Sequence, residues 1–154
     1  MIKYQNNNVE NIFDKIELTS MFNGRYHHST CLMDSKYLVV TGGCKAGRLA
    51  EVYNILNNSW RKLPNLNLYR ANHASCSIKS NIYLFGFGNS NKSSKTIESL
   101  SINDHSARWQ LIQVNETIDL SKKCFAYPMS DNRVLLLSPS WPKTQWIFGK
   151  GNTF

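Results

Sequence analysis

Two short segments of this 154-residue chain carry the residue types of a metal centre, His28-Ser29-Thr30-Cys31 and His73-Ala74-Ser75-Cys76. Imidazole and thiolate both ligate zinc, so two His-x-x-Cys pairs contain the donors of a His2Cys2 site. A third group, Asp104-His105-Ser106, holds the residue types of a hydrolase triad. Adjacent residues on one loop rarely supply the geometry of nucleophile, base and orienter, and no catalysis is assigned to them. Gly86-Phe87-Gly88 opens like a nucleotide loop but precedes another strand, so the helix such a loop needs is missing. There is no Gly-x-Ser-x-Gly, Walker or Rossmann fingerprint. Cys44 and Cys124 lack suitable neighbours in sequence and are read as free thiols.

The elements that carry these residues explain the first two groups. Arg25-Tyr26-His27-His28-Ser29-Thr30-Cys31 matches Arg70-Ala71-Asn72-His73-Ala74-Ser75-Cys76, with Arg, His and Cys recurring at a spacing of 45. Three further segments align in the same order. Leu38 to Gly43 lies over Ile82 to Phe87, Ala50 to Ile55 over Ile97 to Ile102, and Trp60 to Leu63 over Trp109 to Ile112. A true internal repeat decides the fold when present. Because His28/Cys31 and His73/Cys76 occupy equivalent positions in it, repetition accounts for them, and neither a metal nor any other cofactor is expected. Each segment is short, rich in Val, Ile, Tyr, Phe and Trp, and bounded by Asn, Asp, Ser, Gly and Lys, which is strand and turn chemistry. No 3.6-residue apolar period persists for the length of a helix. Four short strands per unit of this length is the pattern of a propeller blade.

A hydrophobic strand ending in Gly42-Gly43, then Tyr53 and Trp60, resembles the kelch repeat. The second unit keeps Gly86 and Trp109 but has Phe87 in place of the second glycine and Leu100 in place of the tyrosine. The resemblance covers residues 20–114 and implies an all-β, kelch-type β-propeller. Residues 1–19 look like the back half of a blade, 20–66 are repeat 1, 67–114 a diverged repeat 2, and 115–154 a degenerate partial repeat 3. That makes about three four-stranded blades, fewer than the four or more that a closed ring needs. The expected propeller is therefore incomplete, open or completed by a second copy or another chain. Gly42, Gly43 and Gly86 end inner strands, where glycine permits positive φ and close backbone approach. The resemblance implies that Trp60 and Trp109 pack between successive blades.

Composition narrows the function classes. No apolar run is long enough to span a bilayer as a helix. The first residues lack the features of a signal or transit peptide, so a cytoplasmic location and reduced cysteines are expected. The net charge is +8, from 18 Lys+Arg against 10 Asp+Glu, but the basic residues are scattered. A nucleic-acid footprint clusters them on one face, so polyanion binding is the weaker reading of that charge.

Function in a propeller resides in the loops on one face. The kelch resemblance implies partner contacts two residues after the blade-opening Arg, at His27 and Asn72, and just past the glycine doublet. The latter set is Cys44, Lys45 and Arg48 in unit 1, and Gly88, Asn89 and Lys92 in unit 2. The expectation is a non-catalytic module that binds a protein or peptide, as a ubiquitin-ligase substrate receptor or a scaffold. A ligase adaptor of the familiar type would carry a BTB domain, and none is present in this sequence. The alternative is a kelch-type enzyme, either a metal-dependent oxidase or a sugar-processing protein.

Overall fold

Runs of about five residues rich in β-branched and aromatic side chains, punctuated by Asn, Asp, Ser and Lys, make extended strands and tight turns. The computed structural model describes residues 17–86, 96–114, 120–121, 123–137 and, as backbone, 145–149. Among these residues there are eleven strands and no helix, hence no helix long and apolar enough to cross a membrane. The chain is all-β. Residues 1–16 of the half-unit read over residues 1–19 lie outside the described residues, as do Phe87, Gly88, Asn89 and Lys92.

The strands form three antiparallel sheets. Sheet one contains β1 (Ser29–Met33), β2 (Tyr37–Thr41), β3 (Ala50–Asn54) and β4 (Ser59–Leu63), hydrogen-bonded in chain order. Sheet two repeats that order with β5 (Ala74–Ile78), β6 (Asn81–Phe85), β7 (Thr96–Ser101) and β8 (Gln110–Gln113). Sheet three has three described strands, β9 (Phe125–Pro128), β10 (Arg133–Leu137) and β11 (Gln145–Gly149), also in order. None of the sheets closes on itself. The turn between β1 and β2 shows how sequence sets register. Asp34 and Ser35 both have positive φ, 51° and 50°, and the Lys36 amide donates to the Met33 carbonyl at 3.1 Å. Two left-handed central residues in this three-residue connection turn the chain in the sense of the twist of the flanking strands.

The sheets stack through their side chains, with β1 against β5 and β5 against β9. One core lies between sheets one and two, where Cys31, Met33, Val39, Val52 and Leu63 meet Ile82, Leu84, Leu100 and Trp109. A second lies between sheets two and three, where Cys76, Phe85 and Ile97 meet Val134 and Leu136. Sheet two is thus apolar on both faces. Alternation along its strands sends Ile82 and Leu84 one way and Phe85 the other.

Glycine lets neighbouring sheets join closely. Gly42 has φ +58°, and a Cβ there would lie 2.3 Å from the Arg70 carbonyl oxygen. Gly86, with φ +73°, faces the Leu120 carbonyl in the same way, at 2.7 Å. Each glycine ends the second strand of its sheet and meets the chain that leads into the next one.

The two tryptophans differ. Trp109 is 3% exposed in the first core, and its indole N–H donates to the Pro64 carbonyl at 2.8 Å. Trp60 is only half-buried. It stacks on Tyr53 at 5.1 Å and donates to the Thr19 carbonyl at 2.8 Å. The kelch resemblance expects both to lie between sheets, but among the described residues no sheet lies against the Trp60 face of sheet one.

Candidate partner-binding site

Each of the first two sheets is closed at one end by a buried ion pair that positions the loops above it. The Arg25 guanidinium pairs with the Glu51 carboxylate, and both side chains are buried although the Arg25 backbone is half-exposed. Arg25 also donates to the carbonyls of Gly42 and Leu49, while Glu51 accepts the Phe22 amide. Arg70 and Glu98 repeat this arrangement one sheet later. Arg70 Nε donates to Glu98 at 2.8 Å, and its other nitrogens donate to the carbonyls of Gly86 and Thr96 at 2.7 and 3.1 Å. Glu98 accepts the Asn67 amide at 2.7 Å. Both charges are out of water, but each is compensated by its opposite and by backbone dipoles. Burial lowers the Arg70 pKa and Glu98 works against that shift. The sequence shows Arg and Glu recurring at these positions; that they grip each other follows only from the fold.

Above these clasps the loops of two sheets converge. His27 and Asn72 are joined by a hydrogen bond from the Asn72 amide to the His27 carbonyl at 2.8 Å. The Cys44 amide donates to the Tyr26 carbonyl at 2.8 Å, and Cys44 Sγ lies 3.6 Å from His27 Nδ1. Tyr26 packs edge-on to the His27 ring with centroids 5.0 Å apart. The Tyr69 ring sits where a side chain on Gly47 would be, so that glycine is its seat. Desolvation raises the Tyr69 pKa, with a further push from the neighbouring Cys44 thiol. His27, Lys45 and Asn72 all have left-handed backbones, with φ of 57°, 70° and 54°. For non-glycine residues that conformation costs about 1 kcal/mol each and tends to persist where surrounding structure enforces it.

The side chains of this cluster face water. Tyr26 is 53% exposed, His27 and Lys45 are exposed, and Cys44, Tyr69 and Asn72 are half-buried. The fold therefore brings together His27, Asn72, Cys44 and Lys45 from the sequence expectation. Tyr26 and Tyr69 join them, and neither is marked by its position in the repeat. Arg48 is exposed, and its Nε donates to the Leu66 carbonyl at 2.8 Å and ties the loop after β2 to the segment after β4.

The other chemically suggestive residues are mostly buried or engaged, although His73 Nδ1 is buried without a partner among the described residues. His73 is buried, with Nε2 2.9 Å from Thr41 Oγ1, and burial drives its pKa from 6.5 to about 3. Cys31, Cys76 and Cys124 are buried, and desolvation pushes them to about 11, 12 and 11, far from thiolate reactivity at neutral pH. Asp104 Oδ1 accepts from both the amide and hydroxyl of Ser106 at 2.8 and 2.6 Å, closing a local turn. That serine is committed to the carboxylate, and His105 does not bridge the two as a base would. Among the described residues no three His, Cys, Asp or Glu side chains converge on one point. A shallow cleft of about 370 Å³ runs beside the first strands, bordered by His28, Thr30, Ser75, Lys123 and Tyr127.

The chain is thus a stack of antiparallel sheets with an exposed aromatic and basic loop cluster at one end of two of them. No family model matches it, and no curated protein matches it.

Proposed function

We propose that this chain is a non-catalytic interaction module of the kelch-type propeller class, binding a protein or peptide through Tyr26, His27, Cys44, Lys45, Tyr69 and Asn72. The observation that carries this reading is a pairing of rigidity and exposure. Tyr26, His27 and Lys45 are exposed and Cys44, Tyr69 and Asn72 half-buried, yet the loop backbones are tied across two sheets and held over buried Arg–Glu pairs. A preorganised surface of tyrosine, imidazole and a cation loses little conformational entropy on binding, and aromatic residues dominate interface energetics. Sheets of four consecutive antiparallel strands, stacked through their first strands, support the propeller class. In this reading each sheet is a blade. Lys45 and the free nitrogens of Arg48 favour a ligand with acidic character.

The test is affinity capture with mass spectrometry, comparing wild type with Tyr26→Ala/Lys45→Ala. A Lys36→Ala control sits at the opposite end of sheet one, in the β1–β2 turn. Selective loss of a partner in the double variant is the expected result. A partner set shared by all three proteins would overturn the assignment of this face.

A further inference from the structure

Among the described residues the stack of sheets ends in two faces that correspond to the two halves of its own interior junctions. Cross-strand register lines up Leu32, Leu38, Tyr53 and Trp60 on the far side of sheet one. The equivalent side of sheet two, bearing Ile82, Leu100 and Trp109, is buried against sheet one. On the far side of sheet three, register pairs Phe125 with Leu137 and Tyr127 with Leu135. The equivalent side of sheet two, bearing Ala74, Cys76 and Phe85, is buried against sheet three. On these two outer faces Tyr53 is only 4% exposed and Leu38, Trp60, Leu135 and Leu137 are half-buried, while other members stand open. Cys76 and Trp109 are 2% and 3% exposed in the interior, whereas Leu32, Phe125 and Tyr127 at the ends are 52%, 48% and 62% exposed.

The approach to sheet one is also built like an interior junction. Trp109 donates its indole N–H to the Pro64 carbonyl, immediately after the last strand of the preceding sheet. Trp60 donates in the same way to Thr19, whose amide and hydroxyl are fixed in turn by Asn58. Sheet one is therefore prepared to receive a preceding sheet, and sheet three presents the kind of face that a following sheet covers.

We propose that the occupant of both faces is a second copy of this chain, docked head to tail so that the Leu32/Trp60 face of each copy covers the Phe125/Tyr127 face of the other. A second copy is favoured over an unrelated protein because both halves of the junction are present on one chain. Two such contacts cover both of these faces, whereas a single heterologous contact would leave one face of each copy open to further copies. The inference stands on sheet packing alone and does not depend on what the loop cluster binds.

The experiment is a mass measurement by light scattering on the full chain at about 100 μM, a concentration that saturates any micromolar self-association. The expected mass is twice 17.7 kDa. Leu32→Asp and Tyr127→Asp each damage both junctions of a homodimer and should give monomers. Mixed together they retain one undamaged junction and should associate again. Circular dichroism confirms that each variant is folded, and Leu32→Lys and Tyr127→Ser replace any aspartate variant that is not. A folded wild-type monomer, a dimer indifferent to both substitutions, or a mixture that stays monomeric would overturn the proposal. Each of these leaves the loop-face reading untouched, since that reading is scored by partner capture.

Discussion

Replacing Arg70 by methionine separates a structural ion pair from a decorative one. The Arg70 and Glu98 side chains are wholly buried, and the guanidinium also satisfies the carbonyls of Gly86 and Thr96. Methionine keeps much of the volume but strands the Glu98 carboxylate in the interior with backbone amides as its remaining partners. Removing one member of a buried pair typically costs about 3–5 kcal/mol. That is a large part of the 5–15 kcal/mol that stabilises an ordinary domain. With a urea m-value of about 2 kcal/mol/M, the unfolding midpoint should fall by about 1.5–2.5 M. In the double variant Arg70→Met/Glu98→Gln the stranded charge is gone, so the loss should fall short of the sum of the two single losses by about 2 kcal/mol. Urea titrations followed by tryptophan fluorescence measure all four proteins. A loss below about 1 kcal/mol for Arg70→Met, the size expected of an exposed pair, would refute the reasoning, as would strict additivity.

Gly42→Ala meets both a left-handed backbone and the Arg70 carbonyl at 2.3 Å, while Gly24 has nothing within 4 Å. The first substitution should cost more than about 2 kcal/mol, and the second should leave the melting temperature within a few degrees. Trp109→Ala empties a core position and should cost about 3–5 kcal/mol, at least about 1 kcal/mol more than Trp60→Ala in the same urea assay. The pKa of His73 falls from 6.5 to about 3 on folding, so the unfolded chain takes up the proton first. Stability from this residue is complete above pH 6.5 and declines as pH falls towards 3, by about 2 kcal/mol at pH 5. His73→Asn should flatten that slope in urea midpoints measured from pH 7 to pH 4.5. Thiol titration of the native protein should find Cys44 reacting fast and Cys31, Cys76 and Cys124 reacting only on unfolding, since those three are 8%, 2% and 4% exposed.

The strands were legible because their signal is local. The segments Leu38–Gly43, Ala50–Ile55, Trp60–Leu63 and Val134–Pro139 each overlap an observed strand to within a residue or two. Turn chemistry at Asp34 and Ser35 and the glycines at Gly42 and Gly86 follow from φ preferences that the residues carry themselves. The candidate cluster was legible only in part. His27, Cys44, Lys45 and Asn72 lie together in the fold, and the kelch resemblance is what pointed to them. Tyr26 and Tyr69 escaped because the aromatic at 26 has alanine as its counterpart at 71, and Tyr69 lies in a connecting segment. The kelch resemblance points to Arg48 through its place just past the glycine doublet, whereas the Leu66 carbonyl that engages its Nε is visible only in the fold.

The sequence by itself determined an all-β chain of repeated antiparallel units, with strand positions and the glycines between them, because period-two patterning and turn propensity act over a few residues. Tertiary structure alone decided the rest. It paired Arg25 with Glu51 and Arg70 with Glu98, buried Trp109 while leaving Trp60 half-exposed, and placed His73, Cys31, Cys76 and Cys124 in the core. The reason is that burial and pairing depend on which sheet covers which face. That is set by contacts between residues about 25 to 45 positions apart, and equivalent residues in a repeat meet different neighbours in the middle of a stack and at its ends.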